Sequence, residues 1–226
     1  MARPPLNPAR RIGFLVGALL ALAALVLLIL PPANAWLSKG PANSGHADTA
    51  CDACHVNAPG TFRQQVQGQL HFWVGLRETH TAFGHKPVDN RDCAACHARE
   101  SDDHPVDRFA EERFVPARRA FAAHTCVGCH TEHTGRRVTM PATGCQHCHD
   151  GLALKNDPLD VPHSTLVANK NWTSCLGCHD FHGNVVREVP TRLKDALTAE
   201  AVEAYLAGGP SIYGTERRFK AKAQRP

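Results

Sequence analysis

Cys126-Val-Gly-Cys-His130-Thr-Glu-His133-Thr-Gly-Arg-Arg-Val-Thr-Met140-Pro-Ala-Thr-Gly-Cys145-Gln-His-Cys-His149 fits two C-x-x-C-H motifs into a single short stretch. Three more copies, Cys51-Asp-Ala-Cys54-His55, Cys93-Ala-Ala-Cys96-His97 and Cys175-Leu-Gly-Cys178-His179, use up the remaining cysteines, so all 10 fall into five motifs with none left over. In C-x-x-C-H the two thiols add across the two vinyl groups of a haem. The intervening pair of residues matches the vinyl spacing, and the following histidine falls beneath the iron as proximal ligand. C-x-x-C pairs also build zinc sites, and an exported chain could form disulfides. Neither alternative accounts for a histidine directly after every second cysteine. The expected cofactor set is therefore five covalently bound haem c groups. The expected proximal ligands are His55, His97, His130, His149 and His179.

A chain this crowded with motif loops has little room for long regular elements. The expected fold is mainly α and irregular: one N-terminal transmembrane helix, then a compact multihaem domain of short helices and loops. Only roughly a fifth of the chain beyond the N-terminal region is large and apolar, near the level at which a polypeptide struggles to build its own core. Five flat, mostly apolar porphyrins would fill that interior.

Ile12 to Leu30 is an unbroken apolar run, about 28 Å long as a helix and close to the thickness of a bilayer core. Arg3, Arg10 and Arg11 precede it with no acidic residue among them, which orients the N-terminus to the cytoplasm and exports the rest. Ala33-Asn34-Ala35 resembles a signal-peptidase site, but the apolar run exceeds the usual signal core of roughly 7–15 residues, so an uncleaved anchor is expected. The expected divisions are a cytoplasmic tail (1–11), a membrane helix (12–30), a tether (31–50), a pentahaem cytochrome c domain (51–183) and a C-terminal helix with a basic tail (184–226). Gly13, Gly17 and Ala21 give the membrane helix a ridge of small residues on which a partner helix could pack. Trp36 stands where an interfacial aromatic would. Asp107 to Phe121 is spaced like a helix that Pro116 should break or kink, and Thr198 to Ala207 reads as a short helix stopped by Gly208-Gly209-Pro210.

The formal charge of +4 misleads. With the three N-terminal arginines set aside, basic and acidic residues nearly balance, and haem propionates would make the exported part acidic. Nucleic acid is not an expected partner.

The sixth iron ligand must come from elsewhere in the chain. Met140 is the sole methionine after the anchor, whereas 10 of the 15 histidines lie outside the motif-final positions. Bis-histidine ligation is therefore expected, with the low potentials that go with the absence of methionine. His133 and His182 each lie three residues past a proximal histidine and should reach a neighbouring haem. His85 and His163 precede motifs two and five, and His71 and His104 complete the candidate set. His147 and His124 are cramped against motifs; His46, in the tether, and His80, beside His85, are set aside. The short step between motifs three and four should bring their haems nearly into contact.

On these motifs the chain resembles the multihaem c-type cytochromes across Cys51 to His182. Its haem domain is similar to the class III low-potential type, and its anchored architecture to the NapC/NirT quinol-dehydrogenase type. Members of both usually carry four haems. The resemblance implies a protein of the bacterial cytoplasmic membrane with its haem domain in the periplasm. It would relay electrons between a quinol-linked or membrane-bound donor and a periplasmic acceptor. Its partners would be the membrane, redox proteins and, were it catalytic, quinol. Two other readings stand beside this one: a subunit of a larger respiratory or photosynthetic complex, and a small-substrate multihaem reductase.

Overall fold

The computed structural model describes residues 8–29 and 38–222; these contain helices and irregular chain, with two isolated β-bridges and no strand. The one long element is α1 (Pro8–Ile29). Proline suits the start of a helix, because its fixed φ is helical and its missing N–H would have had no partner. The window Pro8–Leu27 has a mean hydropathy of 2.0 and is long and apolar enough to span a membrane. The helix begins one turn earlier than the apolar run itself and includes Arg10 and Arg11. Its side chains are exposed as far as described, and nothing lies near Gly13 or Gly17. Leu30, Ala33–Ala35 and Trp36 lie outside the described residues.

Past residue 38 the helices are short, and half of them carry a motif. α2 (Phe62–Trp73) follows motif one, whose first three residues form a 3-10 turn. α3 (Asn90–His97) carries motif two, and α4 (Val115–Phe121) precedes α5 (Cys126–Cys129) of motif three. α6 (Gln146–His149) closes motif four. α7 (His163–Ala168) leads to α8 (Thr173–Cys178) of motif five, and α9 (Ala199–Leu206) follows. Each C-x-x-C thus occupies about one helical turn. Local polar groups start several of these turns. Asp89 caps α3, Thr125 accepts from Gly128 N ahead of α5, and Thr198 accepts from Ala201 N at α9.

Asp107 to Phe121 differs from the expected kinked helix. Val106–Ala110 and Glu112–Phe114 are 3-10 turns, and Pro116 sits in the first turn of α4, the helix position it tolerates best. The expected tether also differs. Residues 38–50 are fixed to the segment after motif three, mainly by Asn43. Its buried side chain donates to Thr131 O at 2.8 Å and accepts from Thr134 N and Oγ1 at 3.1 and 3.0 Å. A buried amide satisfied at both ends makes this contact specific.

The C-terminal region is not a separate appendage. Arg137 donates to Tyr205 O at 2.6 Å, Gly209 O at 2.9 Å and Ser44 Oγ at 3.1 Å, and its guanidinium lies 4.1 Å over the Tyr205 ring. Tyr213 OH donates to Leu176 O inside motif five at 2.6 Å, and Lys222 N donates to Cys96 O inside motif two at 2.9 Å. Gly177 is needed where it stands, because a Cβ there would press on Leu197 O at 2.6 Å.

The apolar core is small and one-sided. Its large members, Leu159, Trp172, Val185, Val202, Leu206 and Tyr213, surround motif five and α9. Around motifs one to three the buried apolar residues are Ala58, Ala117 and Ala123. The described polypeptide by itself therefore builds a core at one end only.

Candidate metal centres

Each of the five motif histidines faces a histidine from outside the motifs. Ring centroids are 5.9 Å apart for His97 and His46, 6.0 Å for His130 and His182, 6.1 Å for His149 and His104, and 6.2 Å for His179 and His163. His55 has two neighbours, His133 at 6.1 Å, nearly parallel, and His85 at 5.8 Å, edge-on. Two imidazoles bound on opposite sides of one metal, with metal–nitrogen bonds of about 2 Å, have centroids about 6 Å apart. The spacing is thus what one iron between two rings requires.

The outer nitrogens support the same arrangement. His46 Nδ1 donates to Glu132 at 2.6 Å, His163 Nδ1 to Asp157 at 2.8 Å and His182 Nδ1 to Asp102 at 3.0 Å. His104 Nδ1 donates to Phe181 O at 2.6 Å and His133 Nδ1 to Gly40 O at 3.1 Å. An occupied Nδ1 fixes the tautomer that leaves Nε2 free to bind a metal, as is usual for metal-ligating histidines. These five anchored rings divide one to each motif histidine. His85 has no such anchor, so His133 is the better-built partner of His55. His133 is held at φ 62°, a left-handed conformation uncommon for a residue with a side chain.

Electrostatics favour the neutral ring at four of the motif histidines. Desolvation pushes His97, His130, His149 and His179 below the ordinary histidine range, favouring the neutral ring. Asp102 is partly buried, which by itself would raise its pKa. Hydrogen bonds from His182, His104 N and Arg99 outweigh that and hold the carboxyl at about 2.

The cysteines are placed as neighbours rather than as cages. The neighbouring Cys93 thiol lowers Cys126 below the ordinary thiol range, and Cys145 does the same to Cys175. Asn90 joins motifs two and three, accepting from Cys126 N and donating to His124 O at 2.9 Å each. No cluster of three or more His, Cys, Asp or Glu that could close around a bare metal ion occurs among the described residues.

A cavity of about 340 Å³ runs between motifs four and five. Cys145, Cys148, Cys175 and Cys178 line it together with both facing pairs, His104/His149 and His163/His179, and Cys129 of motif three borders it. Most other lining residues are apolar, among them Phe109, Phe121, Leu159, Leu166 and Phe181. Trp172 also lines it, and its indole N–H is buried without an acceptor. An orphaned donor in an apolar cavity flanked by motif cysteines fits a large flat group that carries carboxylates. Haem is such a group, so the residues present fit it.

Of the distal candidates chosen from sequence, His104, His133, His163 and His182 stand opposite motif histidines. His85 stands near His55 rather than before motif two's own His97. His71 lies exposed on α2, with no ring contact to another histidine. The residue opposite His97 is His46, which sequence reasoning set aside as part of a tether. Its one signal was its place just ahead of a motif, which it shares with His85 and His163. His80 hydrogen-bonds Gln69 and stacks on Phe72 at 3.7 Å, a packing role.

Comparison with protein-family models, with characterised proteins and with solved structures returned no match.

Asn43→Ala removes the side chain that fixes residues 38–50. Leaving the Thr131 and Thr134 groups unpaired costs about 1–3 kcal/mol. The expected result is a lower denaturation midpoint, with His46 displaced from His97 and one histidine pair lost from the ligand spectrum.

Proposed function

We propose that this chain is a membrane-anchored electron-transfer cytochrome with five covalently attached c-type haems, each held by two histidines. It would sit in a bacterial cytoplasmic membrane with its haem domain in the periplasm, between a quinol-linked or membrane-bound donor and a periplasmic acceptor. One observation carries the reading: every motif histidine has an Nδ1-anchored histidine about 6 Å away, with none left unpaired. Bound there, haem iron would supply a one-electron couple with no open coordination position, which suits electron transfer and leaves no site for a small substrate.

The chain's residues divide the work. The motif cysteines fix each group to a helical turn. The motif histidine and its facing histidine clamp it from both sides, and Glu132, Asp157 and Asp102 orient three of the facing rings. His133 and His182 each follow a motif histidine by three residues yet face the histidine of a different motif. His133 ties motif three to motif one, and His182 ties motif five to motif three. Side-by-side cysteines add the links between motifs two and three and between four and five. The five centres form one connected set whose connections do not follow sequence order.

The test is the ferric spectrum of the purified protein, which should be wholly low-spin with bis-imidazole character. A substantial high-spin signal would mean an open position and would favour the reductase reading. A finer expectation concerns Asp102. A carboxylate on Nδ1 makes the ring a stronger donor to iron. Asp102→Asn should therefore raise one of the five potentials, by on the order of 60 mV if the effect is tenfold in a one-electron couple. Potentiometric titration of variant and parent checks it.

A further inference from the structure

Helix α2 carries four of its large apolar residues outward, while Phe72 packs half-buried against His80. Phe62, Val66, Leu70 and Trp73 are spaced four, four and three residues apart and form one stripe, with Phe62 74 %, Leu70 49 % and Trp73 69 % exposed. Val74 and Leu76, directly after the helix, are 67 % and 76 % exposed and extend the patch. The buried positions are two glutamines. Gln65 donates to Ala58 O and Gly60 O and accepts from Gly84 N, while Gln69 accepts from Thr81 N at 3.0 Å. A helix anchored by amides with Phe, Leu and Trp facing out is the reverse of a soluble surface helix. A contiguous exposed apolar patch of this kind marks a contact site.

What covers it follows from where the helix is held. The nine Cα–Cα steps from Ile29 to Ser38 can span at most about 32 Å. A domain of this size is about 40 Å across, so the part of it around residue 38 must lie close to the end of α1. That part is continuous with α2. Gly40 O accepts from His133, whose ring stands 6.1 Å from His55, and the loop after His55 is where Gln65 clamps the helix. The helix carries Arg63 beside the stripe and no acidic residue, and it ends in a tryptophan. An apolar face edged by a cation and closed by tryptophan suits the headgroup layer of an anionic bilayer.

Resting on the proposed membrane anchor, we infer that the Phe62/Val66/Leu70/Trp73 stripe lies in the surface of the same bilayer that α1 crosses. Motif one would then be the motif held nearest the lipid. The test uses the full-length holoprotein in phosphatidylethanolamine/phosphatidylglycerol nanodiscs containing a phospholipid with a diazirine high on its acyl chain. After photolysis, peptides are read by mass spectrometry. Label is expected on both α1 and the 62–76 segment. In a Leu70→Asp/Trp73→Asp variant with an unchanged haem spectrum, label on 62–76 is lost and label on α1 is kept. Label on α1 alone in the parent protein would overturn the docking while leaving the anchor intact, and would mean that protein or water covers the stripe. Label on neither segment would overturn the anchor and the docking together.

Discussion

Made in a host that cannot attach haem, the part of this chain beyond α1 should fail to fold. The large buried apolar side chains all gather around motif five and α9, and motifs one to three are backed by three buried alanines. Ordering a residue costs about 1–2 kcal/mol of backbone entropy. Over the motif-one to motif-three half, no comparable apolar burial by the polypeptide offsets that cost. The expected outcome is a far-ultraviolet spectrum of a largely disordered chain, rapid proteolysis beyond α1 and no cooperative thermal transition. The haem-loaded protein should melt cooperatively. An apo chain with native-like helix content and a sharp transition would show that the core suffices without the group.

His182 is the side chain whose replacement should change the spectrum most for a single substitution. It faces His130 at 6.0 Å with the rings 17° apart, and it donates to Asp102, whose side chain is only 13 % exposed. It also ties motif five to motif three. His182→Ala should turn one of five centres high-spin. It should also lower stability by about 1–3 kcal/mol, because the partly buried Asp102 loses a hydrogen bond, although Arg99 still pairs with it at 2.9 Å. His182→Met should restore a six-coordinate centre and raise a single potential, by some fraction of the roughly 0.8 V range that axial ligation spans. His71→Ala should leave spectrum and potentials unchanged, since no histidine stands opposite it. Equal effects at His71 and His182 would contradict the pairing.

The parts of the fold legible in the sequence are those set by local chemistry. The apolar run gives α1 to within a turn at its N-terminal end, each motif gives a helical turn, and the predicted helix Thr198–Ala207 appears as Ala199–Leu206. The C-x-x-C-H spacing names the motif histidines outright. It also explains why His133 and His182 must turn away from their own motifs. What was not legible depends on partners far along the chain. Asn43 finds its three hydrogen bonds 88 and 91 residues away. Nothing local separates such a segment from a linker, so the sequence by itself leaves His46 in a tether. His71 had the right residue type but sits on the exposed side of α2, a side decided by Gln65 and Gln69 binding loops on both flanks. Pro116 reads as a break because the residues on both sides of it are spaced like a helix, but the turns before it are 3-10, and the proline begins the helix. The order in which the centres connect was likewise hidden, because it depends on which motif each facing histidine reaches.

The most direct test of the central claim is the intact mass of the full-length protein, purified from a haem-attaching host and measured under denaturing conditions. Five covalently bound haems predict one species, heavier than the polypeptide by five haem groups and unchanged by chelator or reductant. A bare polypeptide mass, or one that bound metal or disulfide linkages account for and that chelation or reduction alters, would contradict it.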